Sequence, residues 1–103
     1  MAERQYVFLV WNDTRIRHYH RTQRQRVVGF CLQLEVEVEG AWQAGIRYDT
    51  AHGFAHIDRF TMTGKRRRER LRLEYAEALT GAEGDLGQNW SVYRERFLSG
   101  GIP

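Results

Sequence analysis

The chain has 103 residues, enough for one domain with a modest core, and its 42% hydrophobic and 13% aromatic content excludes a disordered chain. No apolar run approaches the roughly 18 residues that span a bilayer. The single cysteine, Cys31, excludes an internal disulfide and a thiolate-built zinc site, and the expected compartment is the cytoplasm. The formal net charge is only +3, yet fifteen of the sixteen cations are arginine, whose planar fork suits carboxylate or phosphate.

Tyr6–Trp11 is apolar and aromatic and ends at Asn12-Asp13, which predicts a short buried strand and a turn. Over Arg15–Arg21, Ile16, His18 and His20 alternate with Arg15, Arg17, Tyr19 and Arg21, giving a strand with one very basic face. Val27–Glu39 has the cleanest pattern. Val28, Phe30, Leu32, Leu34, Val36 and Val38 face one way; Gly29, Cys31, Gln33, Glu35 and Glu37 face the other. Trp42, Ala44, Ile46 and Tyr48 continue the even-numbered apolar set. Parity then predicts a three-residue loop, Val38-Glu39-Gly40, with Val36 opposite Trp42 and Glu35 on the solvated face.

Thr50–Gly53 reads as a turn and Phe54–Met62 as a further strand. Residues 63–70, with Gly64 and the run Lys65-Arg66-Arg67-Arg68, read as a basic loop or a frayed helix start. From there Tyr75, Leu79, Ala82, Leu86, Trp90, Tyr93 and Phe97 recur every three or four residues, the stripe of an amphipathic helix over about 73–98. Gly81, Gly84 and Gly87 weaken it by roughly 1 kcal/mol each and mark a place for a kink. The expectation is a single α+β domain over 1–103: a curved antiparallel meander of four to five strands over about 5–62, with the helix on its even-numbered face.

The chemistry-bearing residues concentrate in Arg47–Asp58. A metal-free phosphodiester cleavage needs proton donors and acceptors and a cation for the charged intermediate. His52 and His56 are the acid/base candidates, Arg47 the phosphate clamp and Asp49 the orienting carboxylate, with Phe54 placed to stack a base. Arg15, Arg17 and Arg21 on one strand and Lys65, Arg66, Arg67 and Arg68 in the basic segment are candidate nucleic-acid contacts. His18-x-His20 and the pair His52 and His56 are read as ordinary histidines rather than metal ligands, and no cofactor is expected.

The run Arg47-Tyr48-Asp49, followed by Gly53, His56 and Asp58, resembles the Arg-Tyr-Asp…Gly…His signature of the TumE-like toxins of prokaryotic toxin–antitoxin pairs. The similarity in element order extends over residues 15–98. That resemblance implies a small cytoplasmic toxin held inactive by a helix-turn-helix antitoxin and acting on RNA, with Asp58 added to the catalytic set. The expected function is therefore a toxin-like component acting as a metal-independent ribonuclease. The alternative is a non-catalytic nucleic-acid- or protein-binding module using its Arg-rich strand.

Overall fold

The computed structural model describes Met1–Pro103. Six antiparallel strands form one open sheet in sequence order: β1 (Ala2–Trp11), β2 (Thr14–Gln23), β3 (Arg26–Val38), β4 (Ala41–Asp49), β5 (His56–Phe60) and β6 (Arg66–Arg70). One helix, α1 (Tyr75–Leu98), lies across β3 and β4. The α+β architecture agrees with the alternation in the sequence, with six strands rather than four to five. No helix is long and apolar enough to cross a membrane.

Alternation along β3 buries Phe30, Leu32, Leu34 and Val36 under α1, with Ile16 from β2, Ile46 and Tyr48 from β4 and Ile57 from β5 on the same side. The helix contributes Ala78, Leu79, Ala82, Leu86 and Phe97, so the predicted stripe faces the sheet. Gly81, Gly84 and Gly87 lie on its exposed side and the helix runs through them unbroken. Two polar ties hold it in place. Arg94 donates from Nε and a terminal nitrogen to both Asp13 oxygens at 2.8 and 2.7 Å, and Tyr48 and Tyr93 both donate to Asp85.

Three expectations need correction. The β3–β4 loop has two residues, Glu39 and Gly40, both at positive φ (52° and 82°) between the paired Val38 and Ala41. Such a turn matches the twist of the strands it joins. It sets even residues against odd, and the register recovers only where Gly45 is bulged out between Ala44 and Ile46. Trp42 therefore pairs with Glu37 on the uncovered face, while Gln43 pairs with Val36. Second, residues 63–70 are no loop. Thr61–Lys65 makes a tight turn and Arg66–Arg70 pairs with β5 as an edge strand. An all-charged strand offers no apolar alternation to read, but its charges suit an edge that must not recruit another sheet. Third, β1 is longer than Tyr6–Trp11 and is exposed rather than buried, because α1 stops short of this edge.

Candidate nucleic-acid interface

The face of the sheet opposite α1 carries no covering element, and it collects most of the candidate residues. Arg17, Gln33, Arg47, Asp58 and Arg68 form one cross-strand row over β2 to β6; Tyr19, Cys31, Asp49, His56 and Arg70 form the next. Arg15, opposite Glu35, Arg21, opposite Gly29, and Arg66, opposite Phe60, complete the same face. Seven arginines thus share it with the carboxylates Glu35, Asp49 and Asp58 from β3, β4 and β5.

Hydrogen bonds fix these guanidinium groups. Arg15 and Arg17 donate from Nε to the two oxygens of Glu35 at 2.5 and 3.1 Å, and Glu35 is only 5% exposed. Gln33 donates to Glu35 Oε2 and accepts from Arg47 Nε at 2.6 Å. One side-chain amide thus links three arginines on two strands. Burial raises the cost of charging Glu35, but the two arginines and Gln33 outweigh it and hold its pKa below the ordinary value. Three arginines also stack on aromatic rings of this face: Arg15 over Trp42 at 4.1 Å, Arg70 over Phe54 at 4.6 Å and Arg47 over Phe60 at 5.2 Å.

At the β5–β6 end, Arg68 donates to both oxygens of Asp58 at 2.8 and 3.1 Å. Asp58 is buried, which disfavours its charge, yet the Arg68 bonds and charge keep its pKa below the ordinary value. His56 is buried beside it. Its Nδ1 lies 3.3 Å from the Phe54 carbonyl; its Nε2 lies 3.6 Å from Asp58 and has no hydrogen-bond partner. Both groups are 1% exposed, so neither presents its proton-bearing atoms at the surface of the fold. Asp49 accepts from the Ala51 N–H at 2.9 Å and so shapes the β4–β5 turn. His52, in that turn, is exposed, with its ring 5.3 Å from that of His56.

Of the predicted site residues, Arg47, Asp49, His56 and Asp58 are neighbours, with His52 beside His56 in the adjoining turn; Arg15, Arg17, Arg21, Arg66 and Arg68 join the same face. Arg67 pairs with Arg59 and points to the helix side, and Lys65 sits in the β5–β6 turn. Tyr48, at the centre of the Arg47-Tyr48-Asp49 run, also points to the helix side. Sequence reasoning places Gln33 and Glu35 on this face without assigning them a role, and it misses Trp42, Phe60 and Arg70 as members. The two-residue spacing Arg66, Arg68, Arg70 is a signal that could find Arg70; the alternation of β3 gives the face of Gln33 and Glu35 but not their bonds to arginine. Cys31 is half-buried, and burial and nearby Asp49 push its thiol up to about 11, so it is a poor nucleophile near neutral pH.

The model of the DUF7718 family, described as a domain of unknown function, matches residues 1–101. No curated protein and no solved structure matches the chain.

Proposed function

We propose that this chain, which belongs to the DUF7718 family, is a cytoplasmic nucleic-acid-binding module that holds single-stranded RNA on the uncovered face of its sheet. One observation carries the reading: seven arginines from three strands share that face with three carboxylates, several already held in position by Glu35, Gln33 and Asp58. Arg21, Arg47, Arg66 and Arg70 have no carboxylate partner, which leaves their charge for phosphate oxygens. Tyr19 and Phe54, half-buried on the same side, offer ring faces on which bases stack.

The resemblance to TumE-like toxins supports a second reading, in which the face cleaves the RNA that it binds and an antitoxin covers it. The observation favouring this reading is the exposed His52 ring near that of Phe54, over which Arg70 stacks. His56 and Asp58 then serve as buried supports rather than proton carriers.

The test is fluorescence anisotropy with a labelled single-stranded oligoribonucleotide between about 50 and 200 mM salt, where the slope of log affinity is about −0.7 for each phosphate neutralised. Arg66→Ala with Arg70→Ala, both at exposed positions, is expected to make that slope shallower by roughly 1.4 and to weaken binding to every sequence alike. Arg96→Ala, on the exposed side of α1, is expected to leave it unchanged. An affinity too weak to measure at low salt, or a slope equally altered by Arg96→Ala, would overturn the assignment. Shortening of the labelled RNA, abolished by His52→Ala, would move it to the second reading.

A further inference from the structure

β1 is an edge strand of ten residues with one side of its backbone unpaired. Five of its side chains are large, apolar and exposed: Tyr6 (44%), Val7 (43%), Phe8 (44%), Leu9 (63%) and Trp11 (57%). Outside β1 and the preceding Met1, only Leu73 and Val92 share that description. From Tyr6 to Trp11 there is no charge. The opposite edge, β6, is half as long, and every residue in it is charged. One edge is thus defended along its whole length, while the other has no charge over Tyr6–Trp11 and only the irregularity between Leu9 and Trp11 to interrupt pairing.

We propose that β1 is the two-fold interface of a homodimer, in which two copies pair β1 with β1 antiparallel and join their sheets into one of twelve strands. Opposed residues must lie on the same face, so an antiparallel two-fold axis passes midway between a residue and its own equivalent and pairs positions of equal parity. With the axis at Phe8, each Phe8 meets its equivalent and Val7 meets the second copy's Leu9, and the regular register of β1 ends there, at the irregularity between Leu9 and Trp11. The pairs from Val7 to Leu9 are all apolar, while Glu3 and Arg4 fall outside them. The segment is therefore complementary to itself, which selects a second copy as the occupant.

Area and charge agree with that choice. The exposed parts of the five side chains amount to on the order of 500 Å² per copy, and the main-chain edge and flanking residues bring this towards the roughly 800 Å² per partner of a stable interface. A cleft of about 160 Å³ behind Tyr6 and Phe8, floored by Ile16 and Leu32 and bordered by Leu86, continues the apolar surface inward. The nearest arginines of the uncovered face lie on β2, three strand spacings from their equivalents across the axis. That is about 14 Å, beyond the ~8 Å screening length of physiological salt. Joining two β6 edges would instead place arginines on directly adjacent strands.

Analytical ultracentrifugation of the full chain at micromolar concentration tests the proposal. The expected result is the mass of two chains, falling to one chain in the Leu9→Lys variant with an unchanged circular dichroism spectrum. Should that variant unfold, cysteine cross-linking decides. In a Cys31→Ser background, Phe8→Cys is expected to form an intermolecular disulfide under mild oxidation and Arg67→Cys is not. A native chain that stays monomeric, a dimer undiminished by Leu9→Lys, or cross-linking through position 67 in preference to position 8 overturns it.

Discussion

The Tyr48 hydroxyl donates to Asp85 Oδ2 at 2.6 Å, joining the middle of the sheet to the middle of the helix. Tyr93 donates to the other oxygen at 2.6 Å and Asn89 adds a third bond at 2.8 Å. Burial opposes the charge on Asp85, but these three donors hold its pKa below the ordinary value. Burial and the Asp85 carboxylate in turn push the Tyr48 phenol well above its usual range. The tyrosine at the centre of the Arg47-Tyr48-Asp49 run thus acts in the architecture. It fastens α1 over the core while its neighbours Arg47 and Asp49 point to the uncovered face.

Tyr48→Phe is expected to cost about 1.5–3 kcal/mol of stability, the worth of a hydrogen bond to a charged group. Because Tyr93 shares the acceptor, adding Tyr93→Phe is expected to cost more than the sum of the single variants, by at least about 0.5 kcal/mol. Urea denaturation of the four proteins of this cycle measures both quantities. A Tyr48→Phe protein as stable as the native chain would remove the helix-fastening role.

The β2–β3 hairpin turns through Arg24 and Gln25, both at positive φ (51° and 65°). The left-handed region costs ordinary residues roughly 1 kcal/mol each, and nothing in the turn offsets this. Replacing the pair by Asn-Gly is expected to stabilise the protein by about 1 kcal/mol and raise its melting temperature by several degrees. Gly40→Ala, in the other hairpin at φ 82°, is expected to act in the opposite direction by a similar amount.

These turns also mark where the sequence stops being legible. The six-residue alternation of β3 and the helical stripe of α1 are readable because each repeats a burial period many times. Gly45 is not, since one extra residue in a strand changes the register and leaves no compositional trace. β6 is hidden because a strand of charges has no apolar rhythm. β1 misleads for the opposite reason: an apolar run reads as buried, and only the length and placement of α1 leave it uncovered. For the candidate site, the sequence locates the arginines of β2 and the Arg47–Asp58 cluster. The burial of His56 and Asp58 depends on neighbours from β4, β6 and the β4–β5 turn, which no local pattern announces.

Acid is expected to destabilise the fold in two stages. Burial, reinforced by the neighbouring His20, lowers the pKa of His18, so the unfolded chain takes up its proton first as pH falls below about 6.5. More protons bound by the unfolded state means stability that is present above that pH and lost as pH falls through the folded value. Asp13, Glu35, Asp58 and Asp85 also have lowered values in the fold, so their contributions are full above the unfolded carboxylate range, about pH 4, and are lost below it. Melting temperatures across this range are expected to decline in both windows. In His18→Phe, which retains a ring against Tyr6, the upper decline is expected to vanish and the lower one to remain.

Gln33 offers the sharpest test of whether the arginines of the uncovered face are positioned or merely present. Its amide accepts from Arg47 and donates to Glu35, yet it carries no charge. Gln33→Leu therefore keeps the electrostatic attraction for RNA and releases Arg47 from its fixed orientation. Ordering one long side chain on binding costs about 0.5–1.5 kcal/mol, so affinity is expected to fall about 2- to 10-fold with an unchanged salt slope. Arg47→Ala removes the charge as well and is expected to make the slope shallower by about 0.7 in addition to weakening binding. If Gln33→Leu binds RNA as tightly as the native chain while Arg47→Ala does not, the cation matters and its anchoring does not. If neither variant changes affinity or slope, Arg47 makes no phosphate contact, and the interface must lie nearer Arg66 and Arg70, the exposed end of the same face.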